Sequence, residues 1–254
     1  MALKEEHNFL ELLNVLRKLR APGGCDWDRA QTSESLVPYL LEETYEVIES
    51  IDKQDYEGLK EELGDLCLHI LFQAELAKDK GEFEIGDSLK STSTKLINRH
   101  PHVFNPKLNN DKSWEEAKKE EKKRESVLEG VPKALPALTR SQRIQEKAAS
   151  IGFDWDAPEP IWAKIKEEIN ELKVAHQKND INNIKEEIGD VLFSVVNLAR
   201  YLNIDAESSL RKTIVKFESR FKKIEKHFDK MNVDLKDVSL EEMDEIWEKA
   251  KKEK

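Results

Sequence analysis

One stretch of this chain is written twice. Glu43 and Glu46, followed by Lys60-Glu61-Glu62-Leu63-Gly64-Asp65, are answered by Glu168 and Glu171, followed by Lys185-Glu186-Glu187-Ile188-Gly189-Asp190, each residue 125 positions after its counterpart. Solvated helix faces have no reason to hold acids, a lysine and a glycine in register over both halves, so the repeat predicts two like units.

The spacing within each copy carries chemistry. Residues three apart share a helix face, so Glu43 pairs with Glu46 and Glu62 with Asp65. About nineteen residues separate the pairs, enough for two helical turns, a tight reversal at Gln54-Asp55 and two turns back. The two pairs can therefore face each other. Four converging carboxylates repel one another, and a cation must sit between them. The donors are hard oxygens with no Cys or His among them, which favours Mg²⁺ or Mn²⁺ over Zn²⁺.

With 254 residues the chain can bury two cores of ordinary size. Only nine Gly and eight Pro, against abundant Glu, Lys and Leu, predict an all-α protein. A net charge of -10 gives no basic field for a phosphate backbone, so nucleic acid is not the expected ligand. Cys25 and Cys67 are too few for a disulfide framework, no apolar run reaches membrane-spanning length, and the N-terminus has no basic region followed by an apolar run. A reduced, cytoplasmic protein with no membrane segment is expected.

Taken in order, residues 3–19 carry apolar positions at helical period (Phe9, Leu12, Leu13, Leu16, Leu19). After the breaker Ala21-Pro22-Gly23-Gly24 comes Cys25-Asp26-Trp27-Asp28, which recurs as Phe153-Asp154-Trp155-Asp156. A twice-used Asp-Trp-Asp reads as a turn leading into the acidic helix, Trp packing on the bundle and Asp capping. The first acidic helix is expected from near Pro38 to about Lys53, with Leu40, Val47 and Ile51 on its buried stripe and Glu43 set among them; the second starts at an Asp55 cap and stops near Gly81. His69 lies four residues beyond Asp65 but is matched by Ser194, so it reads as packing or an outer contact. Lys95 with Arg99, and Lys216 with Arg220, are i,i+4 cations that suit a polyphosphate tail. Capping boxes at Ser113-x-x-Glu116 and Ser239-x-x-Glu242 open a closing helix in each half, containing Trp114 and Trp247. Such a Trp stacks on a base or anchors its helix; spacing leaves both open. The pattern gives tandem four-helix units over 1–130 and 158–254, joined by a linker with a connecting helix over 131–157.

Together, Glu42-Glu43-x-x-Glu46 with Glu62-x-x-Asp65, His100-Pro101-His102-Val103-Phe104, Gly152-Phe153-Asp154-Trp155, Glu167-Glu168-x-x-Glu171 with Glu187-x-x-Asp190, Lys216-Phe217-x-x-Arg220-Phe221 and Trp247 resemble the MazG family of nucleoside triphosphate pyrophosphohydrolases in its long, two-domain form. The resemblance implies a Mg²⁺-dependent all-α homodimer that cleaves nucleoside triphosphates to the monophosphate and pyrophosphate, with broad base tolerance and a housecleaning role. It implies a main site in the second half: Glu168, Glu171, Glu187 and Asp190 as catalytic metal ligands, Lys164, Lys216 and Arg220 on phosphates, Trp247 near the nucleoside, and Glu167, Lys185, Glu186 and Phe217 also among the substrate-binding residues. In the first half Tyr39 stands where Lys164 does, and Leu96 and His100 replace the two Phe, which implies a lesser role for Glu43, Glu46, Glu62 and Asp65. Two other readings stay open: a metal-stabilised helical scaffold without turnover, and a narrower dUTP or phosphoribosyl-nucleotide pyrophosphatase of the same superfamily. Gly81-x-x-x-x-Gly86 is followed by Asp87 and Ser88, not the Lys of a P-loop.

Overall fold

The computed structural model describes residues 2–104 and 125–252. Among these, every regular element is a helix, and none is long and apolar enough to cross a membrane. The chain divides into two compact units, residues 1–111 and 112–254. The Ser113 capping box and Trp114 lie outside the described residues.

The first unit runs α1 (Ala2–Arg20), α2 (Asp26–Ala30), α3 (Val37–Lys53), α4 (Tyr56–Asp79), α5 (Ile85–Arg99) and α6 (Pro101–Phe104). Its core joins Leu13 and Leu16 of α1, Leu36 at the head of α3, and Leu71, Phe72 and Leu76 of α4. Each such side chain contributes roughly 1.5–3 kcal/mol when fully buried. The same helices are tied by Arg17, whose Nε and Nη2 each donate at 2.8 Å to the buried carboxylate of Glu75. Gly24 is required by close approach, because a Cβ there would meet the Leu19 carbonyl oxygen at 2.1 Å.

The second unit runs α7 (Ala137–Ala149), α8 (Pro158–Gln177), α9 (Ile181–Tyr201), α10 (Ala206–Lys230), a 3₁₀ turn at Leu235–Asp237 and α11 (Leu240–Lys252). Ile161 and Ile165 of α8 pack on Leu198 of α9, while α7 lies against α9 and α11 against α10. The connecting helix is thus a wall of the second unit. Three residues past the end of α7, Gly152, with a φ of +87°, lets the chain turn sharply into Phe153-Asp154-Trp155.

The hairpins that carry the acids are built alike. Gln54 and Asn179 adopt left-handed φ values of 57° and 54° at the ends of α3 and α8. Asp55 and Asp180 then cap α4 and α9 by accepting from the backbone N–H groups of Gly58 and of Asn182 and Asn183. A reversal of two residues in the first unit and three in the second, fixed at both ends, sets the register in which the facing helices present their carboxylates.

Two expectations need correction. Ile51 is 55% exposed, and the buried place at the end of α3 belongs to Ser50, one residue earlier on the helix. The Asp-Trp-Asp segments are not alike: α2 takes Cys25 as its N-cap with no side-chain cap bond, so Asp26 reaches only Arg29, and Trp27 and Trp155 are both substantially exposed. A single five-residue helix has too little surface to enclose an indole.

Candidate active site

In the second unit, α8 brings Lys164, Glu167, Glu168 and Glu171 onto the side that faces Glu187 and Asp190 of α9. One carboxylate oxygen each from Glu168, Glu171 and Glu187 lies within 4.8 Å of the others, with Glu168 buried and Glu171 exposed. Asp190 stands close enough to raise the pKa of Glu187. That carboxyl is pushed upward first by desolvation and then by the negative charges of Glu171, Asp190, Glu168 and Glu186. The positive charge at hand is Lys164, whose Nζ sits 2.7 Å from Glu168 and 2.9 Å from Glu167. These bonds push its own pKa up.

The first unit repeats the acids and changes their company. Glu43, Glu62 and Asp65 bring oxygens within 4.8 Å of one another. Desolvation raises the pKa of Glu43 and of Glu62, reinforced by repulsion that includes Glu46 in both cases. At the place of Lys164 stands Tyr39, its ring stacked on His69 with centroids 6.2 Å apart and 7° between planes, and meeting Trp27 edge-on at 5.8 Å. His69 Nε2 is 4.0 Å from Glu43, and burial lowers its pKa. Sequence spacing set His69 aside as packing or an outer contact; it lies beside the acids within an aromatic stack.

A second cluster forms on α10 and α11. The Phe217 ring lies 5.1 Å from Trp247 and 6.0 Å from Phe221, and the Arg220 guanidinium sits 5.6 Å above Trp247. Lys216 is exposed on the same helix, as are Lys185 and Glu186 on α9. The capping box that opens α11 is formed, Ser239 N–H donating to Glu242 at 2.9 Å and Glu242 N–H to Ser239 Oγ at 3.3 Å.

Beside the second acidic cluster lies a cavity of about 470 Å³, with Lys164, Glu168 and Asp190 on one side and Phe153, Trp155 and Phe193 among its apolar walls. Beyond the recurrent Asp-Trp-Asp, no spacing or motif points to it. Asp154 holds this wall: Arg200 Nη1 donates to its Oδ2 at 2.9 Å, a second bond runs from Nη2 to Oδ1, and the Trp155 N–H donates to Oδ1 at 2.9 Å. The guanidinium holds the Asp154 carboxyl below the usual carboxylate range.

The family model for the MazG nucleotide pyrophosphohydrolase domain matches residues 31–104 and 157–225. The chain belongs to the MazG family. Both matched segments contain one acidic hairpin, so the repeat seen in the residues is a repeat of the MazG domain. A Thermotoga maritima protein named nucleoside triphosphate pyrophosphohydrolase/pyrophosphatase MazG is 48% identical over 96% of this chain and 95% of its own length. The Escherichia coli K12 nucleoside triphosphate pyrophosphohydrolase is 40% identical over 95% of this chain and 96% of its own. The uncharacterised Bacillus subtilis protein YabN is 42% identical over 98% of this chain, which spans 53% of its length.

The MazG acidic clusters meet the chemical requirements of a divalent cation site. Hard carboxylate oxygens converge from two helices in each unit, and desolvation, reinforced by their mutual repulsion, raises the pKa values of Glu43, Glu62 and Glu187.

Proposed function

We propose that this MazG protein is a nucleoside triphosphate pyrophosphohydrolase whose main site is the second unit. The observation that carries the reading is the convergence of Glu168, Glu171 and Glu187 with Lys164 ion-paired at their edge. The names borne by full-length relatives support the reaction. Glu168, Glu171, Glu187 and Asp190 would hold Mg²⁺, with Mn²⁺ as a chemical substitute. Bound Mg²⁺ supplies neutralisation of charge on the phosphate oxygens and activation of water as nucleophile.

The chain's own residues do the rest. Lys164, set between Glu167 and Glu168, offers an ammonium to the triphosphate as it enters, and Lys216 and Arg220 add cationic donors on α10. Glu167, Lys185 and Glu186 flank the acids and orient them. Phe217 and Trp247 give an aromatic surface with Arg220 across it. Water adds to the α-phosphorus, the bond to the α–β bridging oxygen breaks, and pyrophosphate departs from the monophosphate. The apolar cavity imposes few polar demands, which suits broad base acceptance and a housecleaning role in the cytoplasm. Exposed Leu192, Val195, Leu210, Ile214 and Val215 on α9 and α10 suit burial in a homodimer.

One observation favours a second reading for the first unit. With Tyr39 stacked on His69 where the other unit has Lys164 and Ser194, the place of the ammonium that pairs with Glu168 is taken by a phenol ring, so a cation at Glu43, Glu46, Glu62 and Asp65 serves structure more than turnover.

Incubation with Mg²⁺ and a panel of NTPs and dNTPs, with Glu171→Ala and Glu46→Ala alongside, tests the proposal. Monophosphate plus pyrophosphate, abolished by Glu171→Ala and little changed by Glu46→Ala, is expected. Loss on Glu46→Ala instead moves the site to the first unit, orthophosphate plus diphosphate means attack at the γ-phosphorus, a single accepted base points to the narrower pyrophosphatase, and no turnover leaves a metal-stabilised scaffold.

A further inference from the structure

The charges of α10 are sorted by face. Lys216, Arg220, Lys223, His227 and Lys230 follow one another in steps of four and three, so they share one side of the helix. Glu218, Glu225 and Asp229, seven and four apart, share another. Lys216 and Arg220 belong to the phosphate contacts proposed above. Beyond them the cationic face continues to a groove of about 340 Å³ between α10 and α11, where Lys226, His227 and Lys230 meet Lys249. Half-buried Ile246 and buried Ala250 of α11 complete its lining.

Lys226, His227, Lys230 and Lys249 are all exposed, and among the described residues none of them has a carboxylate within ion-pairing distance. Other exposed lysines of the chain do find one: Lys53 pairs with Glu49, Lys78 with Glu84, and Lys251, two residues past Lys249, with Glu248. With a net charge of -10, carboxylates are in excess, so three ammonium groups gathered without one are a repulsive arrangement in an acidic protein. The helix dipole favours a cation in each last turn. It accounts for Lys230 and Lys249 singly, and not for their meeting with Lys226 around one groove.

An anion resolves the repulsion. It must fit the groove, carry more than one negative charge, and offer enough oxygens to accept from both helices at once. A diphosphate or triphosphate group has all three properties, whereas a lone carboxylate has one charge and two oxygens. No Trp, Tyr or Phe is among the described lining residues, so the bases of a single-stranded nucleic acid find no stacking platform there.

We propose that the groove between α10 and α11 is a second anion site, in which Lys226, Lys230 and Lys249, with His227, bind a compact polyphosphate: free pyrophosphate or the tail of a nucleoside triphosphate. None of these four residues belongs to the acidic cluster or to the phosphate contacts proposed above, so the inference stands apart from the pyrophosphohydrolase reading.

The test is calorimetric titration of the full chain in metal-free buffer, with pyrophosphate and α,β-methylene-ATP as probes. Without a divalent cation the acidic hairpins repel both. At least one probe should bind wild-type protein, more weakly as salt is raised. Lys226→Gln/Lys230→Gln should weaken that binding about tenfold or more, and Lys249→Gln, on the facing helix, about threefold or more, the scale of lost charge-assisted hydrogen bonds. Lys166→Gln/Lys173→Gln, which removes the same charge from exposed positions of α8, should change it by less than about twofold, since screened charges at a distance contribute little. Weakening of pyrophosphate alone assigns the groove to the free anion, weakening of the analogue alone to a triphosphate tail, and weakening of both to the group they share; each supports the proposal. It is overturned if neither probe binds, or if the groove substitutions weaken binding no more than the α8 pair does. An oligouridine that binds through Lys226 and Lys230 where both probes fail overturns it as well, and makes the groove a nucleic-acid contact.

Discussion

Arg200 grips Asp154 through both ends of its guanidinium, across 46 residues of sequence. The fork joins α9, which carries Glu187 and Asp190, to the turn that carries Phe153 and Trp155. It therefore sets the distance between the acids and the aromatic wall of the cavity. The Arg200 side chain is 11% exposed and that of Asp154 29%, so removing one partner leaves a largely desolvated charge. Arg200→Ala should lower stability in urea unfolding by about 1–3 kcal/mol and raise KM for nucleotide more than it lowers kcat. An unchanged KM would show that the wall is held by other contacts.

Glu75 and Arg17 give the first unit a pH dependence of definite sign. Glu75 is buried, and the Arg17 hydrogen bonds hold its carboxyl below the ordinary glutamate value. A depressed folded-state value means stability that is full above the unfolded-state pKa and lost as pH falls through the folded one. Urea midpoints should therefore decline as pH drops below the ordinary carboxylate range. Arg17→Met should cost about 2–4 kcal/mol at pH 7 and flatten that decline. A variant that keeps the full acid-side slope would assign the slope to other carboxylates.

Divalent cations should stabilise the protein through both acidic clusters. Mg²⁺ at a hundredfold excess over its dissociation constant adds about 2.7 kcal/mol per site, to be read as a rise in Tm that EDTA reverses. Glu171→Gln and Glu46→Gln should each remove part of that rise, and the double variant should remove nearly all of it. A rise indifferent to both substitutions would mean that the cation binds elsewhere.

Lys164 has two jobs that a substitution separates. With Glu167 and Glu168 as its partners, it offsets negative charge in the cluster proposed to hold the cation. Lys164→Met should tighten Mg²⁺ binding, measured by calorimetry, while raising KM for triphosphate by roughly tenfold or more. Weaker Mg²⁺ binding in the variant would mean that Lys164 chiefly orients Glu168.

The hairpins were legible because each of their parts has a local cause. Glu43 to Asp65 and Glu168 to Asp190 state their helices by period, and their reversals by an Asp at each second helix's start. The cation requirement followed from like charge alone. The cavity was not legible, for a physical reason: its walls come from α7, a turn and α9, and a single Gln in a charged helix carries no periodic signal. Arg200 was equally silent, since the fork to Asp154 depends on how the turn packs and not on any spacing. The paired Asp-Trp-Asp segments misled in another way. Identical tripeptides met different neighbours, Arg29 three residues away in one unit and Arg200 across the fold in the other.

The cavity beside the second cluster has a consequence for how such a protein can change. Leu128, Ile144, Gln145, Phe153 and Trp155 come from outside the MazG-matched segment, whereas Lys164, Glu168 and Asp190 lie within it. One stretch of chain shapes one side of the room, and another supplies its acids together with Phe193. Mutations can accumulate at Leu128, Ile144 or Phe153 without touching the carboxylates of the hairpin, so a lineage can retune what it admits while inheriting its acidic hairpin intact.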